Sequence, residues 1–332
     1  MEVVISYDNP QNTNEWNALC KECGNFVQTT MYSDISAFYG SKSVYIQVLD
    51  YHNLVGGVKL NWDVSRRLPF LSKQLSQFGE FVIMPNANQP DVCQLLCGAI
   101  SSLTKKLKPT VISVKGFYGG TDLLYKTDKY KCVEKNYGVA YLDLTKSEDE
   151  LLKNMDRNHR RSIKKAEEMN LEFFISHDPQ YVIEMLKETY SVQRKTGPNP
   201  KYVESEINLG TKYGVSYVGV TKYQSDVLSA NEAVLYGDVA YLTLGGNKKN
   251  NYGAGAFEHW NVIKNLKKIG CKRFTFGQVA ENKSFGDKHF VDGITDFKMK
   301  FGCYVVDASN RMYVVKSFYN WIWVKMCKMF IK

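Results

Sequence analysis

The sequence lacks any apolar run long enough to cross a bilayer: the longest one near its C-terminus, Trp321 to Val324, is far too short. The N-terminal stretch Met1 to Asp8 has neither a basic region nor an extended apolar segment, so no signal peptide is expected. Together these two absences predict a cytoplasmic protein.

The sequence also lacks the spacing of a metal site or of a hydrolase triad. Only Cys20 and Cys23, among eight cysteines, form a CxxC pair, and no second pair with zinc-ligand spacing follows. No Ser–His–Asp or Cys–His arrangement is visible. The scattered thiols are typical of a reduced protein, and no metal is expected.

The composition is that of a globular protein, with 44% hydrophobic and 23% charged residues. The formal net charge of +9 favours partners that carry phosphate, and it is also compatible with plain solubility. Because no base-reading module is present, sequence-specific nucleic-acid recognition is not expected.

Two segments of the chain repeat one order of elements: an amphipathic helix, a Lys-Lys pair, a short connection, and a strand followed by glycine. In the first, a helix over Asp91 to Leu107 precedes a strand over Val111 to Val114. In the second, a helix over Phe257 to Ile269 precedes a strand over Arg273 to Phe276. The repeat predicts an α/β fold (α+β, with mixed sheets) built from two copies of one unit.

The boundary between the two halves is predicted near residue 145. Thr145 or Ser147 followed by three acidic residues is typical of a helix start, and the helix is expected to run to about Met169. The predicted domains are therefore 1–145 and 146–316, with a C-terminal tail over 317–332.

Three stretches resemble the FemABX family of peptidyltransferases and the related BioF2-like acetyltransferases of the GNAT superfamily. They are the basic segment Arg157 to Ala166, the segment Ala256 to Gly277, and the segment Gly293 to Gly302 with its Phe-Lys pair. A weaker match lies at Phe26 to Thr29. The resemblance implies two GNAT-like domains in tandem, a tail that returns to the first domain, and a reaction site in the second.

The resemblance further implies transfer of an acyl or aminoacyl group to an amine of a cell-envelope acceptor. The acceptor would be a peptidoglycan precursor or a nucleotide- or lipid-linked sugar of a surface polysaccharide. The donor would be acyl-CoA or aminoacyl-tRNA, bound as a co-substrate, with no tightly bound cofactor. The alternative is a non-catalytic protein that binds a phosphate-bearing lipid- or nucleotide-linked ligand.

Lys298 is the predicted catalytic residue. Acyl transfer to an amine builds negative charge on the carbonyl oxygen, which a fixed ammonium stabilises. The resemblance implies that Phe297 and Lys298 face the donor, and that Arg194 and Tyr202 lie near the acceptor. Arg194 could equally be a surface residue that ends a helix. The other interpretation of Lys298 is a solvated strand residue.

Two further groups of residues are candidates for phosphate binding. Arg157 and Arg161, on the basic helix, are predicted to bind substrate and could equally be a solvated surface. The loop residues Asn250, Gly253 and Gly255 partly match the coenzyme A pyrophosphate loop of GNAT enzymes, although a plain loop has the same pattern.

Two points stay open at this stage. The general base is unassigned among Asp296, Glu258 and Glu232. The stretch Phe318 to Lys332 mixes aromatic, methionine and lysine residues, so it is either an interfacial helix at the inner membrane surface or a closing element packed on the first half.

Overall fold

The fold was analysed in a computed structural model that describes residues 1–38, 40–64, 69, 71–192, 194–249, 252–280, 291–319 and 321–322. The chain forms two compact units. The first comprises Met1–Gly138 and Val306–Lys332, and the second comprises Val139–Val305.

The sheet of the first unit has the strand order β1, β2, β3, β4, β6, β13, and β5 pairs with β3. All neighbours are antiparallel except β4 and β6, which are parallel and are connected through α3. The strands are β1 Glu2–Tyr7, β2 Lys42–Asp50, β3 Asn53–Asp63, β4 Gln74–Phe78, β5 Val82–Ile83, β6 Val111–Lys115, β7 Lys131–Asp143 and β13 Tyr304–Val314, of which β7 and β13 have residues in both units.

The helices that pack in the first unit include α1 Thr13–Glu22, α2 Thr30–Phe38 and α3 Gln89–Leu107. The apolar stripe of α3, which includes Val92, Leu96 and Ile100, is fully buried in the core formed with the sheet. Asn88 caps the start of α3, and Lys108 ends it in the left-handed conformation.

The sheet of the second unit has the order β8, β9, β10, β11, β12. Its neighbours are antiparallel except β11 and β12, which are parallel and are connected through α8. The elements are α4 Glu148–Asn154, α5 Arg157–Glu168, β8 Glu172–Ser176, α6 Pro179–Val192, α7 Pro200–Lys212, β9 Ser216–Tyr223, β10 Asp226–Tyr236, β11 Val239–Asn247, α8 Ala254–Lys268, β12 Arg273–Val279 and α9 Val291–Met299.

The structure confirms the predicted α/β class and the predicted repeat, since α3 and α8 each connect two parallel strands of a mixed sheet. One predicted helix is wrong. The helix expected from residue 145 to Met169 is broken at Met155, whose backbone is extended, because Asp156 caps a new helix by accepting a hydrogen bond from the amide of Asn158. Lys298 lies on helix α9, so its interpretation as a strand residue is also wrong.

The chain returns to the first unit through β13, whose residues Asn310 to Val314 pair with Lys115 to Val111 of β6. For the tail 317–332, residue 320 and residues 323–332 lie outside the described residues, so its packing on the first half stays a prediction. No helix in the described ranges is long and apolar enough to cross a membrane.

Lys59 of β3 is unusual in the core of the first unit, because it is a lysine whose side chain is only 1% exposed. Its Nζ has no hydrogen-bond partner among the described residues and lies 4.8 Å from the ring centre of Tyr32. Burial lowers the pKa of Lys59 to about 7. Gln28, from the weaker family match, holds the backbone here by accepting from the Lys59 amide and donating to the Phe78 carbonyl.

Replacing Lys59 with Met should stabilise the protein near neutral pH. The folded-state pKa of about 7 lies below the ordinary value of 10.5, so the unfolded chain binds more protons between these values. The free energy of unfolding of the wild type should therefore rise with pH across this interval. We expect Lys59→Met to add about 1–4 kcal/mol at pH 7 and to flatten this rise, as measured by denaturant unfolding at pH 7 and pH 10. A Lys59→Met protein less stable than wild type at pH 7 would contradict this.

Candidate functional site

The parallel strands β11 and β12 separate near their carboxyl ends. They pair only from Val239–Arg273 to Tyr241–Thr275, yet the described strands continue to Asn247 and Val279. In the first unit, β4 and β6 pair over all five residues of each strand. Open α/β sheets bind ligands at the carboxyl ends of their strands, so this opening in the second unit is the candidate site.

A β-bulge shapes the β11 side of the opening. Asn231 of β10 pairs with Gly245, and Ala233 pairs with Leu242, so Thr243 and Leu244 both lie opposite Glu232. The extra residue disrupts the ladder and redirects the side chains around it. Thr243 is half-buried, and its hydroxyl donates a hydrogen bond to the Glu232 carboxylate.

Helix α8 begins beside the opening at Gly253, which has a φ of 80°. A Cβ atom at this position would lie 2.4 Å from the carbonyl oxygen of Ser162 on α5, so only glycine permits this approach of the two helices. The glycine that the sequence assigned to a phosphate loop is therefore already in contact with α5. Asn250 lies outside the described residues, and Gly255 faces the side chain of Asn247.

The β12 side of the opening carries Lys298. Its ammonium donates a 2.8 Å hydrogen bond to the Gln278 carbonyl, near the end of β12. Thr295, one helical turn earlier in α9, accepts a 3.2 Å hydrogen bond from the Ala280 amide and so fixes α9 to the same strand end. Burial lowers the pKa of Lys298 to about 8, and the nearby Cys303 thiol partly opposes this shift. At neutral pH the ammonium is therefore still charged.

Phe297 turns to the other side of α9, into a cluster of rings. His159 of α5 approaches its carbonyl with Nε2 at 3.0 Å, and the His159, His259 and Phe301 rings all pack against the Phe297 ring. Phe276 of β12 stacks on His259 and Phe301. The predicted Phe297–Lys298 pair is thus held by elements α5, α8 and β12 through aromatic contacts.

The two histidines, which the sequence did not single out as site residues, have opposite pKa shifts. The pKa of His159 is lowered, chiefly by burial. Burial alone would also lower the pKa of His259, but the adjacent Glu258 carboxylate, 2.8 Å from Nδ1, outweighs burial and raises it. Within the described ranges, no group of His, Cys, Asp and Glu could hold a metal ion.

The basic residues of α5 divide into two groups. Arg157 and Arg161 are exposed, as required of residues that bind a phosphate-bearing substrate. Arg160 instead donates to the carbonyls of Leu152, Lys153 and Met155, and so terminates α4.

Arg194 and Tyr202 lie at the α6–α7 connection, beside a cavity of 340 Å³. The cavity is lined by the neighbours of both residues, Lys195 and Val203, and by Tyr190 of α6. Arg194 is exposed and has a φ of 52°, whereas Tyr202 is hydrogen-bonded to the buried carboxyl group of Glu206.

The three candidate bases have distinct environments. Asp296 is exposed and forms an ion pair with Lys300. Glu258 of α8 is fully buried and is bound by Asn231 and His259. Glu232 is also fully buried, but it contacts the opening through Thr243.

No protein-family model matches the sequence, and no curated protein matches it. Among solved structures, the chain is similar to the crystal structure of FemX, with 14% identity and a TM-score of 0.71 over 93% of this chain and 97% of that chain. It has the fold of FemX.

Two other structures share this FemX-type fold more distantly. A tandem GNAT protein from the clavulanic acid biosynthesis pathway matches at 9% identity and a TM-score of 0.55, over 95% of this chain and 99% of that one. L-PGS from Bacillus licheniformis matches at 10% identity and a TM-score of 0.56, over 93% of each chain. The predicted fold, two GNAT-like units in tandem, is confirmed.

The position of Lys298 within the FemX-type fold predicts an unusual titration. In protein labelled with 13Cε-lysine, we expect one side-chain resonance to titrate at about pH 8 and to disappear in Lys298→Met. Lys300→Met, two residues further on, is the control and should leave that resonance in place. A Lys298 resonance that titrates with the exposed lysines would show that its ammonium is fully solvated.

Proposed function

We propose that the protein transfers an acyl or aminoacyl group to an amine, with the reacting carbonyl held in the opening between β11 and β12. The observation that carries this proposal is the difference between the two units. The equivalent parallel strands of the first unit are paired throughout, whereas those of the second separate and have a charged Lys298 beside the gap.

Lys298 suits the role of stabilising the transition state. Attack of an amine on an ester or thioester places negative charge on the carbonyl oxygen, and a preorganised ammonium in a partly desolvated site lowers this barrier. The Gln278 carbonyl and the packing of α9 hold Lys298 in place before the donor binds. The remaining contribution is the positioning of the two substrates.

The geometry at Gly253 favours an aminoacyl ester over acyl-CoA as the donor. The Ser162 carbonyl oxygen, 2.4 Å from where a Cβ on Gly253 would lie, places partial negative charge beside this loop, which disfavours a pyrophosphate there. The exposed Arg157 and Arg161 of α5, the helix that contains Ser162, suit the phosphates of a tRNA acceptor arm.

The proposed acceptor is an amine of a cell-envelope precursor, either a peptidoglycan precursor or a lipid- or nucleotide-linked sugar. This assignment follows the resemblance to FemABX proteins. The α6–α7 cavity beside Arg194 and Tyr202 has space for part of such an acceptor. The reaction would take place in the cytoplasm or at the inner membrane surface.

Replacing Lys298 with Met should reduce transfer by about 100-fold or more while leaving the thermal midpoint unchanged. The assay incubates the protein with radiolabelled alanyl-tRNA or acetyl-CoA and a panel of amines, and separates the products. Lys300→Met serves as the matched control and should retain transfer.

Two results would overturn the proposal. Transfer undiminished in Lys298→Met would remove Lys298 from the reaction. Tight donor binding by the wild type without consumption of either donor would instead support the alternative, a binding protein for phosphate-bearing ligands.

A further inference from the structure

Two buried glutamates of the second unit repel each other, and one of them, Glu232, is bound to Thr243 at the opening. Glu232 of β10 is fully buried, and Glu206 of α7 is 5% exposed. Two carboxylates in one apolar site repel each other, and each loses its hydration, so both cannot stay ionised at neutral pH. The FemX-type fold alone gives no reason to bury such a pair in the core between α7 and the sheet.

The hydrogen bonds of the two carboxyl groups differ. Glu232 accepts from the Ser216 hydroxyl at 2.6 Å through Oε1, and from Thr243 through Oε2. Glu206 is hydrogen-bonded to Tyr202, and its Oε2 has no partner within the part of the chain that the structure describes. Two hydroxyl donors favour the ionised form of Glu232, so the proton that the pair retains belongs mainly on Glu206.

The pKa shifts agree with this assignment. Burial, with repulsion from Glu232, raises the pKa of Glu206 to about 8, and burial also raises the pKa of Glu232. The neighbouring cavity, which Val203 of α7 also lines, has two cationic side chains in its lining, Lys187 of α6 and Lys195. The hydrogen bonds of Glu232 and the raised pKa of Glu206 therefore both place the retained proton on Glu206.

We propose that Glu232, acting through the Thr243 hydroxyl, is the acceptor for the proton that the amine substrate loses, and that Glu206 is the positioning residue that keeps the second proton of the pair. This proposal rests on the acyl-transfer function. It assigns the general base of the reaction. Thr243 can connect Glu232 to the substrate because it is half-buried and lies on the part of β11 that no longer pairs with β12.

The proton balance is complete in this arrangement. The ammonium of the acceptor gives one proton to the Thr243 oxygen as that hydroxyl passes its own proton to the Glu232 carboxylate. The neutral amine then forms a bond with the acyl carbon, and the carbon–oxygen bond of the ester breaks (a carbon–sulfur bond in a thioester). The leaving group takes a second proton from the nitrogen, and Glu232 releases its proton to solvent.

The test compares two amines whose need for a base differs. Glycinamide is largely protonated at neutral pH, whereas hydroxylamine is largely neutral and needs no proton removed before attack. With alanyl-tRNA or acetyl-CoA as donor, Glu232→Gln and Thr243→Val should lose about 100-fold or more in transfer to glycinamide and little in transfer to hydroxylamine. Glu206→Gln replaces the protonated carboxyl group with an amide and is the variant for the titration experiment.

Glu204→Gln, on the exposed side of α7, is the matched control and should behave like the wild type. Thermal midpoints of all variants check folding, and Thr243→Val decides the question if Glu232→Gln does not fold. In 13Cδ-glutamate-labelled protein, one carboxyl resonance should titrate at about pH 8 and be absent in Glu206→Gln.

Each contrary outcome identifies which part of the proposal is wrong. Equal loss with both amines in Glu232→Gln would show a structural role rather than proton acceptance. Two carboxyl groups that titrate in the ordinary acidic range would show that the pair does not share a proton. A wild type that transfers to neither amine would overturn the proposed function itself, and this inference with it.

Discussion

The separation of β11 from β12 after Tyr241 is the constraint on which the proposed chemistry depends. A sheet that stayed paired to its carboxyl ends, as β4 and β6 do, would leave no place for a carbonyl between its strands. The unpaired backbone of the two strand ends supplies polar groups that are already oriented, and the Gln278 carbonyl uses one of them to hold Lys298. The same arrangement of two parallel strands and a connecting helix is therefore fully paired in the first unit and separated at its strand ends in the second.

Maintaining this opening requires buried polar groups that cost stability elsewhere in the second unit. Below β10, Asn231 donates to Glu258 at 2.8 Å, and Glu258 is in turn bound to His259 at the start of α8. On the other face, Glu232 is bound by Ser216 and Thr243. Buried carboxyl groups are tolerated only where hydrogen bonds replace their hydration, so both networks fix the bulged strands β10 and β11 in one arrangement.

The sequence was sufficient to predict the α/β class, the repeat and most of the elements that carry it. The apolar stripes of α3 and α8 and the strands that follow them are local patterns, which short-range periodicity records. The helix break at Asp156 was missed because the stripe from Leu152 to Ala166 continues in phase across the capping residue. Lys298 was singled out as the catalytic candidate only through the family resemblance.

The opening between β11 and β12 and the Glu206–Glu232 pair could not be predicted from such local patterns. Strand separation depends on which residues of β11 and β12 fail to pair, and the Glu206–Glu232 pair joins residues of α7 and β10 by tertiary packing. Two signals were present locally. Adjacent Gly245 and Gly246 inside a strand are typical of a bulge, and Glu232, directly before the apolar run 233–235, required a buried partner.

The central claim is that the donor's acyl group enters the gap between β11 and β12. Hydrogen–deuterium exchange, with and without alanyl-tRNA that carries a non-hydrolysable amide linkage, tests this most directly. Binding of the analogue should slow exchange mainly in peptides covering 242–247 and 276–280. Protection confined to other parts of the chain, with these strand ends exchanging at their unbound rates, would contradict it.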